Sequence, residues 1–218
     1  MNKSILKTSL LCFSFMALVL CSCSKKPQAI IELTPVADYD KSFADKRIEQ
    51  ALEGRLEELH VKAEATKEGD AIQVAIIEKP DSVDMTSVED ALTWSGQLVL
   101  RESQGDVVDL TNKIRDIKMT YCSEGPDVKG DGSNLKPAID ITFIESYHKT
   151  FSVITGRNLL KTIELVMDDS LLCAPVVLQS IDSGVIQITG TSAAENGKLN
   201  SICLAIKHPI PVRMNVRK

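Results

Sequence analysis

The sequence predicts a mixed α+β fold in two subdomains behind an exported, lipid-anchored N-terminus. Three observations predict it. An apolar stretch over 10–20 ends in Leu20-Cys21-Ser22-Cys23. Beyond it the apolar period switches repeatedly between about two and about 3.6 residues, in the order β-α-β-β-α-β over 29–103. After a polar connector at 104–113, a second region of strands and helices runs to the end of the chain.

The first strand is 29–33, which Thr34-Pro35 ends. A helix follows over 45–59, with Ile48, Ala51, Leu52, Leu56 and Leu59 recurring at the spacing of one buried face and charged residues filling the other side. Residues 61–66 alternate, Lys67-Glu68-Gly69-Asp70 turns the chain, and 71–77 supplies the partner of a hairpin that Pro80 and Asp81 close. Thr86-x-x-Glu89 is a capping box, in which a hydroxyl and a carboxylate satisfy free amides at a helix start. The helix it opens carries Val88, Ala91 and Leu92 inward, and 97–101 is the closing strand. This is the order of a ferredoxin-like split βαβ unit, a two-layer base with both helices on one face.

The head subdomain covers 114–218. Strands at 117–121 and 138–143 flank a loop with Gly125-Pro126 and Gly130-Asp131-Gly132-Ser133 as turn signals. A helix over 145–158 presents Tyr147, Phe151 and Ile154 on one side. Strands follow at 163–167, 172–178 and 185–189, the first two joined at Asp168-Asp169-Ser170. A second capping box, Ser192-x-x-Glu195, opens a last helix that buries Leu199, Ile202, Cys203 and Ile206 and stops at Pro209 and Pro211.

At the N-terminus, Lys3 and Lys7 precede an apolar segment shorter than the ~20 residues of a membrane-spanning helix, as in a signal peptide. An uncleaved anchor is the alternative, and the length and flanks disfavour it. A small residue is required before the modified cysteine of a lipoprotein. Ser22 before Cys23 meets this requirement and Leu20 before Cys21 does not. Residues 1–22 are thus the predicted signal peptide and 23–28 a tether. Cys23 is the lipidation site, carrying a diacylglyceryl thioether of palmitate type outside the cytoplasmic membrane. Ser24 in place of an aspartate favours transfer to an outer membrane where the cell has one.

Removing 1–22 takes away two lysines and no acid, leaving 23 basic against 30 acidic residues. No basic stripe invites nucleic acid, and aromatics at 4% give no stacking platform for bases or sugars. Nothing after Cys23 has the length of a membrane span. The mature cysteines other than Cys23 are Cys122, Cys173 and Cys203, enough for one disulfide at most and without CxxC spacing. Asp127, Asp131 and Gly132 match three positions of a calcium loop, but Lys129 and Ala138 stand where two acidic ligands belong. His60, His148 and His208 read as surface or packed residues, and Asp168 and Asp169 as divergent, solvated carboxylates of a turn. With no nucleophile elbow, metal helix or phosphate loop, the residues predict no catalytic site, no metal, no cofactor and no small-molecule substrate. They predict a binding or structural module.

The run 163–190 carries a resemblance. Ile163-Glu164-Leu165-Val166-Met167-Asp168-Asp169, then Cys173-Ala174-Pro175, then Ile181, Gly184 and Ile188-Thr189-Gly190 resemble the head of the first large extracytoplasmic (P1) domain of SecD. There a strand ending in Leu-Asp-Gly leads to Ser-Ala-Pro and later to Ile-Thr-Gly. In the first half the helix with Arg55 and Leu59, the strand 71–77 running to Pro80, and Gln97-Leu98-Val99-Leu100-Arg101 look like the base of that domain. Asp169 replaces the turn glycine, which disfavours positive φ there. His60 replaces a helix-ending glycine, and Cys173 a serine. The resemblance implies a non-catalytic accessory of protein export that binds unfolded polypeptide or Sec translocon components. Since the sequence ends at Lys218 without the family's helix bundle, it is not expected to be a proton-driven motor. The alternative is an envelope scaffold or sensor whose protein partner is unrelated to secretion.

Overall fold

The computed structural model describes residues 26–39, 41–123, 135–189 and 198–217. Ser22, Cys23, the loop at 124–134, Gly190 and the Ser192-x-x-Glu195 box lie outside them.

The base begins with β1 (Ala29–Pro35), α1 (Lys41–Glu58), β2 (Lys62–Glu68), β3 (Ala71–Glu78) and α2 (Met85–Thr93). In β1, Ile31 and Leu33 are buried while Ile30 before them is exposed, so every second side chain enters the core. Ile48, Leu52 and Leu56 of α1 and Val88 and Leu92 of α2 fill the same core. β3 pairs antiparallel with both β1 and β2, so β1 and β2 are parallel with β3 between them, the split βαβ arrangement.

The fourth strand is not the predicted one. Residues 97–101 were expected to close the base sheet, but Leu98 and Leu100 are buried in the other core. The strand at the edge of β1 is instead the C-terminal β11 (Met214–Arg217), antiparallel to β1 with Met214 opposite Pro35. The sheet order is β11-β1-β3-β2. The α+β class and the ferredoxin-like order therefore hold, with the whole head inserted between α2 and the last strand. The redirection is made at Ser95-Gly96. Gly96 has φ +80, and a Cβ there would sit 2.0 Å from the Ala205 carbonyl oxygen, so the chain crosses at a point only glycine fits.

The predicted boundary at 104–113 is corrected by the same facts. β4 (Leu98–Arg101) pairs with β5 (Val107–Asp109), and Leu110 is fully buried, so the connector is part of the head.

Among the described residues the head has two sheets. In one, β6 (Ile114–Ser123), β7 (Leu135–Phe143) and β10 (Val185–Ile188) take the order β10-β7-β6. In the other, β4 and β5 join β8 (Glu164–Met167) and β9 (Ser170–Cys173) in the order β5-β4-β8-β9. The strand predicted over 172–178 is thus Ser170–Cys173, and beyond it only isolated bridges at Val176 and Val177 continue the pairing. Pro175, without an amide hydrogen, follows the point where the ladder stops. α3 (Glu145–Arg157) packs Tyr147, Phe151 and Ile154 inward, with the Phe151 ring 4.5 Å from that of Phe143.

α4 (Leu199–Lys207) lies between α2 of the base and β6 of the head, and its residues from Ser201 to Ile206 are all buried. Where α1, α2 and α4 meet, one side chain is fully buried and charged. Arg55 donates to five carbonyl oxygens, those of His208 (2.6 Å), Trp94 (2.7 Å), Ala91 (3.0 Å), Ser95 (3.3 Å) and Ala205 (3.4 Å). These are the orphan acceptors at the C-terminal ends of α2 and α4, where the helix dipoles favour a cation. Burial pulls the guanidinium down to about 9, opposed by the charge of Asp168.

The cap of α2 differs from expectation, and the end of α1 keeps its cap without glycine. α2 is capped by Asp84, whose carboxylate accepts from the Ser87 amide at 2.6 Å, two residues ahead of the predicted Thr86 box. His60 adopts φ +57 after α1, with its amide on the Glu57 carbonyl and the Val61 amide on Leu56, the two bonds of a Schellman cap.

Candidate functional site

The head carries a cleft of about 1190 Å³. Buried in its lining are Leu100 of β4, Phe151 of α3, Ile163 just before β8, Leu165 of β8, Val177 and Ile188. One wall is the segment leaving β9, including Ala174, Pro175, Val176 and Leu178, and the other is β10 with Thr189. The cleft therefore opens where the two head sheets end side by side. Its rim keeps large aliphatics in water. Leu178 is 78% exposed, and Val176 and Val185 are about half exposed.

The polar groups of this cleft hold its wall in place. Ser152 on α3 hydrogen-bonds Ser180 at 2.9 Å and donates to Asp182, while Ser180 reaches Asp182 at 3.0 Å. The Ile181 amide donates to Thr155 Oγ at 3.0 Å. Donation from Ser152 and then from Ser180 holds the Asp182 carboxyl below its usual range. Among the described residues of the lining, Asp182 is the one charged side chain. Cys173 also lines it, and burial pushes its thiol up to about 11, which suppresses the reactive thiolate. Among the described residues no group of three His, Cys, Asp or Glu side chains is placed to hold a metal.

The predicted motif residues fall into two places. Ala174, Pro175, Ile181, Ile188 and Thr189 line the cleft. Gly184 has φ +64 just before β10, and a Cβ there would meet the His148 ring at 2.1 Å. Asp168 lies away from the cleft at the junction of the two subdomains, where it accepts from the Ser95 amide at 2.6 Å and from the Ser95 hydroxyl. It is not the solvated carboxylate that was expected. Asp169 is solvated, 3.8 Å from Arg101, but its φ of +62 contradicts the prediction of a turn without positive φ. With Asp168 at +50, both central residues take the left-handed conformation that a two-residue I′ hairpin loop needs. Aspartate tolerates that region better than most side chains.

Sequence reasoning missed three participants. Arg55 lies three residues after Leu52 and four before Leu59, on the apolar stripe, and that spacing was the available signal. Glu102, buried in the head, accepts Arg157 in a two-pronged pair (Nε at 2.7 Å) and Asn158 at 2.5 Å. Donation from Arg157 outweighs burial and holds the Glu102 carboxyl below its usual range. Ser95 carried no signal in the sequence.

No protein-family model matches the chain. The protein translocase subunit SecD of Acidaminococcus fermentans is 25% identical over 183 residues, 84% of this chain and 41% of that protein. SecD of Calditerrivibrio nitroreducens is 35% identical over 80 residues, 36% of this chain and 16% of that protein. A crystal structure of SecDF in a super-membrane-facing form superposes with a TM-score of 0.69 at 18% identity, covering 87% of this chain and 29% of that one. The chain resembles SecD in sequence and SecDF in fold. A second SecDF structure, described as a membrane component that enhances protein export, gives a TM-score of 0.66 over 87% of this chain and 98% of that one, again at 18% identity. The chain spans less than half the length of the SecD proteins it matches. Among the described residues no helix is long and apolar enough to cross a membrane.

Proposed function

We propose that this chain is a SecD-like accessory of protein export, lipid-anchored through Cys23 outside the cytoplasmic membrane. Its head cleft binds unfolded polypeptide emerging near the Sec translocon. The observation that carries this reading is the cleft itself. It is a trough whose lining mixes apolar and polar side chains, with exposed Val176, Leu178 and Val185 on its rim. The likeness to SecD supplies the export context. The cleft-lining motif residues Ala174, Pro175, Ile188 and Thr189 bind in this reading, while Asp168 positions the head on the base.

The test uses the mature chain with Cys23 replaced, titrated with a reduced and alkylated protein and with the same protein folded. Binding to the unfolded form alone is expected. Equal or absent binding to both would remove polypeptide handling and leave a scaffold bound to a folded envelope partner. Anchoring is tested separately: Cys23→Ala is expected to abolish lipid labelling in cells and to accumulate precursor, and undiminished labelling would overturn it.

A further inference from the structure

Resting on the polypeptide-binding reading above, we infer that the cleft receives its occupant as an added β-strand, paired along the open edge of β10. Five consecutive residues, Val185 to Thr189, line the cleft. Alternate side chains of a strand point to opposite faces, so consecutive residues line one cavity only when it runs along the strand's edge. Among the described residues β10 pairs with β7 alone, and its other edge faces the cleft.

The direction of each main-chain group follows from one bond. The Phe143 amide donates to the Gly184 carbonyl at 2.8 Å, and the antiparallel register continues from Val185 opposite Thr142 to Ile188 opposite Ile139. Bonded pairs alternate in such a ladder, so Ile186 and Ile188 turn their amides and carbonyls toward β7. Val185 and Gln187 turn theirs toward the cleft. The Val185 amide is taken by the Ser183 hydroxyl at 3.3 Å, which agrees with that direction and leaves the Val185 carbonyl and both Gln187 groups facing the opening.

The opposite wall is not a continuous strand, since β9 ends at Cys173 and only isolated bridges at Val176 and Val177 follow. Its Pro175 carbonyl serves Ile163, and its Val177 amide and carbonyl serve Lys161 and Leu160. It contributes Val176 and Leu178 as apolar contacts instead. The occupant is therefore an extended segment with aliphatic residues at alternate positions, hydrogen-bonded on one side and packed on the other. Five residues at ~3.3 Å each make a slot of about 17 Å. Recognition of this kind takes its affinity from the main chain and tolerates many sequences.

The probe is a synthetic octapeptide of alternating valine and threonine, compared with two versions N-methylated at every valine or at every threonine. Slipping by two residues preserves this alternation, so the readout does not depend on register. One methylated version is expected to bind about tenfold or more weakly while the other stays near the parent, a tenfold loss being the scale of one or two hydrogen bonds. On the protein side, Gln187→Pro removes an outward amide that the β7 ladder does not use, at an edge position where proline is tolerated. It is expected to weaken binding about tenfold relative to Gln187→Ala, which loses only the side-chain bond to Asp140. If the parent peptide binds and both methylated versions behave alike, or Gln187→Pro binds as well as Gln187→Ala, strand addition is overturned while polypeptide binding stands. If neither the peptide nor an unfolded protein binds, both readings fall together.

Discussion

Arg55 shows how one residue can join two parts of a chain far apart in sequence. Its partners are all carbonyls, so it is paired with two helix ends and no carboxylate touches it. Arg55→Met keeps much of the volume but leaves buried acceptors without donors, a loss on the order of 3–5 kcal/mol. Urea unfolding of the purified chain measures it, and a loss below about 1 kcal/mol would show that water reaches those carbonyls. Glu102 gives a second prediction, through pH. Its folded pKa lies below the ordinary 4.5, so the unfolded chain takes up the proton first as pH falls. Its contribution is complete above that value and is lost as pH drops through the folded pKa. Glu102→Gln should therefore be less stable than wild type at neutral pH, and the gap should close in acid as pH falls through the folded pKa. An equal gap at both would mean the pair with Arg157 acts by shape and not by charge. Arg55 was legible as a stripe position, whereas the Glu102 network was not, because Glu102, Arg157 and Asn158 meet only once the head is folded.

Among the elements, those with a long period were the most legible. The apolar stripe of α1 and the alternation of β2 were read directly, since each repeats its signal over several turns or residues. Short elements were read by adjacency, and adjacency misled. Leu98–Arg101 looks like any four-residue strand, and only its partners, β5 and β8, reveal which sheet it serves. The caps failed differently: Asp84 and Thr86 are both good capping residues, and the chain chose the earlier one. The β8–β9 turn offers a prediction at this scale. Asp169 is exposed with φ +62 and makes only a loose contact with Arg101, so glycine there should relieve backbone strain. Asp169→Gly is expected to stabilise by roughly 0.5–1 kcal/mol, and Asp168→Gly to destabilise because it releases Ser95. Thermal unfolding of the two variants checks both signs, and destabilisation by Asp169→Gly would show that its side chain matters to the hairpin.

At the scale of the molecule, the chain leaves the base after α2 and returns to it with β11, and the two crossings touch. The Ile210 amide donates to the Ser95 carbonyl at 2.8 Å, and the Arg213 guanidinium lies over the Trp94 ring at 5.2 Å. A local reading cannot see a strand that pairs with a segment some 180 residues earlier, which is why the base was drawn as continuous. The consequence is that the base core is incomplete without the last residues. Ile210, Val212 and Met214 are buried in the base, and each such side chain contributes about 1.5–3 kcal/mol when fully removed from water. Their sum is comparable with the ~5–15 kcal/mol that holds a whole domain folded. Deleting 209–218 also strips β1 of one of its two ladder partners. The truncated chain is therefore expected to lose its cooperative urea transition and the amide protection of β1 and β3. Deleting residues 26–28, which make only the Gln28 amide bond to Ile76, should cost far less. Hydrogen exchange on the two truncations separates the cases. Retained protection of β1 after loss of 209–218 would mean that the base is self-sufficient and that β11 is an ornament on its edge.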